Sequence, residues 1–238
     1  MRSFRDQALI TRTYDFGEAD RIVTLLTRNH GVVRAVAKGI RRTNSRFGAR
    51  VQQFNLIDVN LYPGRNLATL TQADTIRHYG KLIDDYDHYT AGAIILEAAQ
   101  KLTLHTPPGD PYTFDQATRA LECIPAHPTI AIDAFILTTM RHNGWEPTLY
   151  NCANCEKPGP HHHFHPASGG AVCEDCRPPA ATPAPGESLR ILWWILAGHT
   201  ELAAAANSVD IHTAHNLTLD YFHWHTEQRL RSLRTVEQ

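Results

Sequence analysis

An alternating segment sets the fold of the first third of this chain: Phe54-Asn55-Leu56-Ile57-Asp58-Val59-Asn60-Leu61-Tyr62. Ile57, Val59 and Leu61 fall on one side of the segment. Asp58, Asn60 and Tyr62 fall on the other side. A period of two residues is that of a β-strand with one face buried. The segment therefore predicts a strand that covers an apolar core.

Four more strands are predicted around this one, in residues 7–13, 21–28, 32–38 and 67–76. His30-Gly31 links the second strand tightly to the third, and Pro63-Gly64 forms a turn after the central segment. Five strands in about eighty residues is the count of an OB-fold, a small barrel that often binds single-stranded nucleic acid. A five-stranded SH3-like barrel would give a similar pattern, so the count alone leaves both open.

Beyond residue 81 the apolar residues recur every three or four positions, as on one face of a helix. We expect helices over residues 91–102, 114–124, 129–142 and 189–196, with a last one over residues 219–233. The predicted class is α+β: an N-terminal five-stranded OB-fold barrel, followed by an α-helical domain. We expect the domains to be residues 1–80 and residues 81–238.

The helical part contains two knuckles, Cys152-Ala153-Asn154-Cys155 and Cys173-Glu174-Asp175-Cys176, seventeen residues apart. Each C-x-x-C knuckle brings two thiolates to one ion, so the spacing predicts one tetrahedral Zn²⁺ held by Cys152, Cys155, Cys173 and Cys176. A shell of four cysteines leaves no position for water or substrate, which indicates a structural role. We expect this Cys₄ zinc module at about residues 151–177, embedded in the helical domain.

Other metal-binding or reactive side chains have plainer interpretations. His161, His162, His163 and His165 lie between the knuckles and could compete as ligands, but we interpret them as part of an exposed hairpin tip. Cys123 adjoins Leu121 and Ile124, and we interpret it as a small buried hydrophobe rather than a nucleophile.

Charge divides the chain more sharply than the overall net charge of −1 suggests. Residues 1–80 carry thirteen Lys or Arg and six Asp or Glu, whereas residues 81–238 carry ten and eighteen. The segment 21–57 has eight basic residues and no acidic one. A basic run can be a plain solvated face. An arginine-dominated run of this length favours a phosphate-binding surface.

The sequence gives no sign of an enzyme or a membrane protein. It lacks the nucleotide-binding, zinc-protease and serine-hydrolase motifs. No apolar run approaches the roughly 20 residues of a membrane span, and the first residues lack the apolar core of a signal peptide. We therefore expect a cytoplasmic protein that is not an enzyme, with reduced thiols available for metal.

Three parts of the sequence carry a family resemblance: Gly17-Glu18-Ala19-Asp20-Arg21, Lys38-Gly39-Ile40-Arg41-Arg42 with Ser45-Arg46-Phe47-Gly48, and Gly144-Trp145-Glu146-Pro147 before the first knuckle. They resemble the RecO family of bacterial DNA repair proteins. The resemblance implies a recombination mediator that binds single- and double-stranded DNA, anneals complementary strands and works without covalent catalysis. It implies RecR, the single-strand-binding protein and RecA as partners, and a protein associated with the nucleoid.

On this interpretation the DNA-binding surface lies on the barrel. We expect it to consist of Arg34, Lys38, Arg41, Arg42, Arg46, Arg50 and Arg65. Phe47, within this stretch, could be a stacking face or a core residue. The acidic loop 15–20 argues against DNA along its side of the barrel.

Two competing hypotheses remain from the sequence. One is a zinc-ribbon regulator that reads a specific DNA sequence or docks on a protein. The other is a metalloenzyme, which the closed shell of cysteines disfavours.

Overall fold

The computed structural model describes residues 2–45 and 47–232 of the chain. Its N-terminal part is a closed barrel of five strands in the order β1-β2-β3-β5-β4. The strands are β1 (Phe4–Phe16), β2 (Asp20–Thr27), β3 (Gly31–Ala37), β4 (Asn55–Tyr62) and β5 (Ala68–His78). All five predicted strands are therefore present, and β1 extends three residues beyond its predicted limits at each end.

Strand pairing closes the barrel on both sides of β1 and between β3 and β5. β1 pairs antiparallel with both β2 and β4, and β3 pairs in parallel with β5 through Ala35 and Val36. This order is that of an OB-like barrel, so the predicted fold class is confirmed.

The barrel interior is filled by the faces that the alternation predicted. Ile57, Val59 and Leu61 of β4 are buried there, at no more than 1% exposure, whereas Tyr62 on the other face is half exposed. Phe47 is also buried in this core, so the interpretation of Phe47 as a core residue is confirmed. A 3₁₀ turn (Gly48–Arg50) follows it and leads the chain towards β4.

Six α-helices follow the barrel in the part of the chain that the structure describes. They are α1 (Tyr86–Leu102), α2 (Tyr112–Cys123), α3 (Pro128–His142), α4 (Ser188–Leu196), α5 (Thr200–Ala204) and α6 (Ser208–Thr226). Asp85 caps α1 by accepting a hydrogen bond from the His88 N–H, and Asn207 caps α6 in the same way through Asp210 N–H. Pro128 at the start of α3 suits a position whose N–H needs no partner.

The structure differs from the sequence predictions at three points in this region. The last helix was predicted over residues 219–233 but spans Ser208–Thr226, and it ends where Glu227 adopts a left-handed conformation, so Leu230 lies beyond it. The short α5 was not predicted. Cys123 is exposed rather than buried, because it stands at the last turn of α2 with its side chain off the apolar face.

A second apolar core lies between the outer face of the barrel and the helices. We call residues 86–226, without residues 148–183, the helical region. Leu9, Leu26 and Leu56 from the outer face of the barrel are buried together with residues of α1, α3 and α6. Phe54 has a φ of +68° and packs edge-on against Tyr89 of α1, over a glycine in that helix.

Two arginines reinforce this contact from the barrel side. Arg28 forms a bidentate ion pair with Asp115 of α2, with both hydrogen bonds 3.0 Å long, and Arg77 pairs with Glu122 of the same helix. Both pairs are exposed, so they orient the two parts more than they stabilise them.

A buried ion pair lies inside the helical region. His215 Nδ1 of α6 lies 2.7 Å from Asp133 Oδ1 of α3, and Asp133 is fully buried. The pKa of His215 is raised: burial opposes the shift, but the neighbouring Asp133 carboxylate outweighs it.

None of the helices in the described residues is both long and apolar enough to cross a bilayer.

Candidate metal centre and nucleic-acid interface

The two cysteine knuckles meet in the structure. The sulfur atoms of Cys152, Cys155, Cys173 and Cys176 all lie within 4.8 Å of one another. Cys152 and Cys173 are buried, whereas Cys155 is exposed and Cys176 is half-buried. The cluster therefore stands at the surface, with one thiol from each knuckle directed inwards.

Short backbone contacts shape the first knuckle. Cys152 N–H donates to the Lys157 carbonyl at 2.9 Å, and Glu156 N–H donates to the Cys152 carbonyl at 2.9 Å. Glu156 takes a left-handed conformation, with φ of +62°, to close this turn. Cys173 N–H points at the Cys152 sulfur at 3.4 Å, which ties the second knuckle to the first.

The donor set and its dimensions fit a tetrahedral metal ion. With a zinc–sulfur distance of about 2.3 Å, the edges of such a tetrahedron are about 3.8 Å long. The Cys155 and Cys173 sulfur atoms are 3.7 Å apart, far longer than a disulfide bond. Four sulfur ligands favour Zn²⁺ among the divalent metals that proteins bind.

The thiols differ in how readily they lose a proton. Burial acts to raise the pKa of Cys152, but N–H groups of Cys173, Cys155 and Asn154 outweigh it and lower that pKa to about 6. Contacts with the thiols of Cys155 and Cys173 raise the pKa of Cys176 to about 12. Cys152 is therefore the thiol that gives up its proton more readily, and the thiolate is the form that a metal binds, whereas a metal would have to displace the proton of Cys176.

A three-stranded sheet supports the cysteines. Its strands are β6 (His163–His165), β7 (Gly170–Val172) and β8 (Thr182–Pro183), in the order β7-β6-β8. We call residues 148–183 the cysteine module. Thr148 pairs with Gly170, and Phe164 of β6 is buried against Tyr221 of α6, with ring centroids 5.6 Å apart. The module is therefore fixed to the helical region through β6.

The histidines of the module do not form the exposed tip that the sequence suggested. His163 and His165 lie in β6, and the tip is the turn at residues 166–169. Of the four, His162 is exposed and the other three are half-buried. No histidine joins the group of four cysteines among the residues described. The interpretation was wrong for His163 and His165, because Phe164 between them is buried and its neighbours lie in the same strand.

The predicted basic residues are spread along one part of the barrel sequence. Arg34 is exposed on β3, Lys38, Arg41 and Arg42 follow that strand, and Arg50 ends the 3₁₀ turn. Arg65 is exposed in the link before Ala68, which pairs with Ala35 of β3. Arg46 lies outside the described residues.

These basic residues differ in their partners. Arg41 lies 3.6 Å from Asp15, and Arg50 lies 3.8 Å from Asp74 and donates to the Ala73 carbonyl. The other four basic residues are Arg34, Lys38, Arg42 and Arg65. Within residues 2–45 and 47–232, no carboxylate oxygen lies within 4.0 Å of their side-chain nitrogen atoms. Their charges are available to an external anion.

The acidic loop before β2 is already neutralised in part. Asp15 accepts a hydrogen bond from Arg21 at 2.8 Å, which lowers the pKa of Asp15, with Arg41 nearby. Asp20 accepts a hydrogen bond from the Gly39 N–H at 2.7 Å. Sequence order alone does not reveal these pairings, so the loop repels phosphate less than its composition suggests.

A cleft that the sequence did not indicate lies between part of the barrel, α1 and the chain that follows α6. It has a volume of about 580 Å³ and is lined by Arg12, Tyr89 and Lys101 among others. Glu97 in the cleft binds the N–H groups of Arg231 and Ser232 at 3.0 and 2.9 Å. These contacts fasten the chain that follows α6 to α1.

Comparison with known proteins agrees with the two-part architecture. A family model described as recombination protein O N terminal matches residues 1–79, and one described as recombination protein O C terminal matches residues 83–234. The DNA repair protein RecO of Streptomyces coelicolor is 43% identical over 250 aligned positions. Those of Streptomyces avermitilis and Streptomyces griseus are 42% and 40% identical.

All three alignments cover 100% of this chain and 100% of the relative. The matches to both family models and the full-length relatives show the family. The chain belongs to the RecO family, whose role is in DNA repair and recombination.

Proposed function

We propose that this protein is a recombination mediator that binds single- and double-stranded DNA through its barrel and anneals complementary strands. The observation that carries the proposal is the group of basic residues without carboxylate partners in the described structure: Arg34, Lys38, Arg42 and Arg65. Phosphate groups supply the missing negative charge. Such contacts read little sequence, which suits a protein that acts on any broken DNA.

Annealing follows from the same charges. Two complementary strands repel each other through their phosphates, and a surface that neutralises both backbones while leaving the base edges free lets them pair. The reaction requires no bond to be made or broken in the DNA, so we propose that the protein is not an enzyme.

We propose that the protein helps load RecA onto DNA coated by the single-strand-binding protein, together with RecR. Family membership supports this proposal. It is tested by the ATPase activity of RecA on coated single strands, which should rise only when this protein and RecR are both added.

We also propose one structural Zn²⁺ in the four-cysteine cluster, supported by the sulfur distances. Residues 1–80 would then form the DNA-binding domain. Residues 81–238 would form a helical domain that carries the zinc module at about 151–177. A cytoplasmic location at the nucleoid stays a prediction.

DNA binding is tested by fluorescence anisotropy with labelled oligonucleotides of unrelated sequence at several salt concentrations. If about five phosphates are neutralised on a single strand, the log–log slope of affinity against salt is about −3.5. Replacing Lys38 and Arg42 with Gln should reduce the slope by about 1.4, because each lost contact contributes about 0.7. The matched control replaces Arg119 and Arg229, which are exposed in the C-terminal part, with Gln.

A flat salt response of the unaltered protein would contradict the proposal. Binding confined to one sequence motif would instead favour the zinc-ribbon regulator.

A further inference from the structure

An irregularity in β1 changes which residues face outwards. The pairing of β1 with β2 shifts register between Ile10 and Arg12, so Thr11 is an extra residue in the strand. Thr11 is buried and its hydroxyl donates to the Thr24 carbonyl at 3.0 Å. Such a bulge redirects the side chains that follow it.

The effect on β1 is a reversal of the alternation. Ile10 faces the barrel interior, and an unbroken strand would place residues 12, 14 and 16 beside it. Instead Thr13 pairs with the buried Val23, and Arg12, Tyr14 and Phe16 lie on the outer face, all exposed. The bulge therefore exposes one arginine and two aromatic rings to solvent.

The pairing register places these side chains in rows across three strands. On the same outer face, Leu9 pairs with Leu26 in a row that the helical region covers. In the rows beyond it, Arg12 and Arg34 are exposed on either side of the buried Thr24. Tyr14 is exposed beside the half-buried Ile22 and Val36, and Phe16 is exposed opposite Asp20. We call Arg12, Arg34, Tyr14, Ile22, Val36 and Phe16 the outer platform.

The outer platform combines exposed rings with free positive charge. Tyr14 is 45% exposed and Phe16 is 50% exposed. The Arg12 guanidinium lies 5.7 Å from the centre of the Tyr14 ring. Neither Arg12 nor Arg34 has a carboxylate partner in the parts of the chain described here. Asp20, opposite Phe16 in the register, accepts a hydrogen bond from the Gly39 N–H.

The spacing of the rings suits a nucleic-acid base. Residues two apart on one face of a strand are separated by about 6.8 Å. That distance is twice the rise of about 3.4 Å per base in a DNA strand. The two positions are therefore spaced along the strand as two ring planes with one base between them would be.

We propose that the outer platform binds unpaired bases of single-stranded DNA, with bases stacked on Tyr14 and Phe16 and phosphates bound by Arg12 and Arg34. This inference rests on the proposed DNA-binding function and assigns its single-strand site. In a duplex the bases already stack on one another, so the platform distinguishes single strands from duplexes. Arg12 also lines the cleft beside Tyr89, which gives the strand a path towards α1.

The test compares ring-deletion variants on two kinds of DNA. Tyr14→Leu with Phe16→Leu keeps apolar, strand-compatible side chains and removes both rings. We expect affinity for a single-stranded oligo-dT to fall at least about tenfold, and affinity for a duplex to stay within about twofold. Tyr14→Phe, which keeps the ring, should bind like the unaltered protein.

The matched control is Tyr62→Leu. Tyr62 is 50% exposed on β4, next to Leu61, which pairs with Phe4 at the opposite end of β1 from Phe16. An oligonucleotide with an abasic tract gives a second measurement. It keeps the phosphates, so the unaltered protein should bind it as weakly as the double variant does.

The stacking proposal would be overturned if the double variant lost affinity equally for single strands and duplexes, or if its affinity did not change. It would also be overturned if Tyr62→Leu reduced the affinity for single strands as much as the double variant does. In those cases salt-sensitive binding by the unaltered protein would leave the proposed function standing. If the unaltered protein bound no DNA, the proposed function itself would fail.

Discussion

The barrel and the cysteine module are both small β-structures, but different forces hold them. Fifteen buried apolar residues fill the barrel interior, whereas the separate cluster of the module contains only Cys152, Val172 and Cys173. A closed sheet with such a core is stable by burial. Two- and three-residue strands are not, so the module depends on its cysteines and its anchor Phe164.

This difference separates the parts that can carry function from those that support it. The barrel interior is filled by its own side chains, which leaves the barrel surface available for charged residues. The module has its four sulfur atoms within 4.8 Å of one another, so one metal ion bound there would occupy all of them.

The largest effect should come from Cys173→Ser. It removes a buried sulfur from the cluster, and zinc binding by such clusters contributes about 10–16 kcal/mol near neutral pH. We expect loss of bound metal and faster hydrogen exchange in residues 148–183, with the barrel unchanged. Cys123→Ser, at an exposed cysteine outside the cluster, is the control. Undiminished metal content measured by mass spectrometry would refute the ligand assignment.

Leu25→Ala tests the other side of the comparison. Leu25 is fully buried in the barrel interior, so its truncation should destabilise the barrel by about 2–5 kcal/mol. Hydrogen exchange should show the loss in the barrel strands, while the metal content stays the same. Leu202→Ala, at a half-exposed position of α5, should have little effect. Loss of metal together with loss of the barrel would show that the two regions depend on each other.

A pair of glycines sharpens the comparison further. A Cβ on Gly170 of β7 would lie 2.1 Å from the Thr148 carbonyl oxygen, at a φ of +144°. Gly170→Ala should therefore loosen the module by about 1–3 kcal/mol from overpacking, in addition to backbone strain. Gly17→Ala in the barrel meets no atom within 4 Å and should cost only the strain of its φ, about 1–2 kcal/mol.

Zinc affinity, measured by competition with a chelator, should fall for Gly170→Ala alone. Equal zinc affinity in both glycine variants would count against a module whose order and metal binding are coupled.

The smallest expected effect is a change of stability with pH at the His215–Asp133 pair. This pair lies in the helical region, outside both the barrel and the cysteine module, so it serves as a reference. The folded pKa of His215 is raised above its ordinary value of 6.5 by Asp133. The ion pair therefore contributes fully below about pH 6.5, and its contribution is lost as pH rises through the folded pKa. The difference in Tm between the unaltered protein and His215→Gln should narrow from pH 6 to pH 8.5. A difference that widened over this range would contradict the assignment.

Much of the fold could be predicted because its strands and helices carry regular patterns. The alternation at Ile57, Val59 and Leu61 marks a face of β4 that the structure buries. The four cysteines were predicted as one set from spacing alone, and the structure brings them together. Their role as zinc ligands stays a prediction.

Other features depend on contacts between residues far apart in the chain. The bulge at Thr11 is set by its bond to Thr24 and reverses the faces of Arg12, Tyr14 and Phe16. The pairing of Asp15 with Arg21 and Arg41 depends on the β1–β2 hairpin and the loop after β3. The sequence pattern shows charges and rings, but not which of them remain free.

The most direct test of the account is hydrogen exchange of the full chain with and without single-stranded oligo-dT. The account predicts protection in peptides covering residues 12–38 of the barrel, and none in residues 152–176 of the module. Protection confined to the module, with the barrel unchanged, would contradict it.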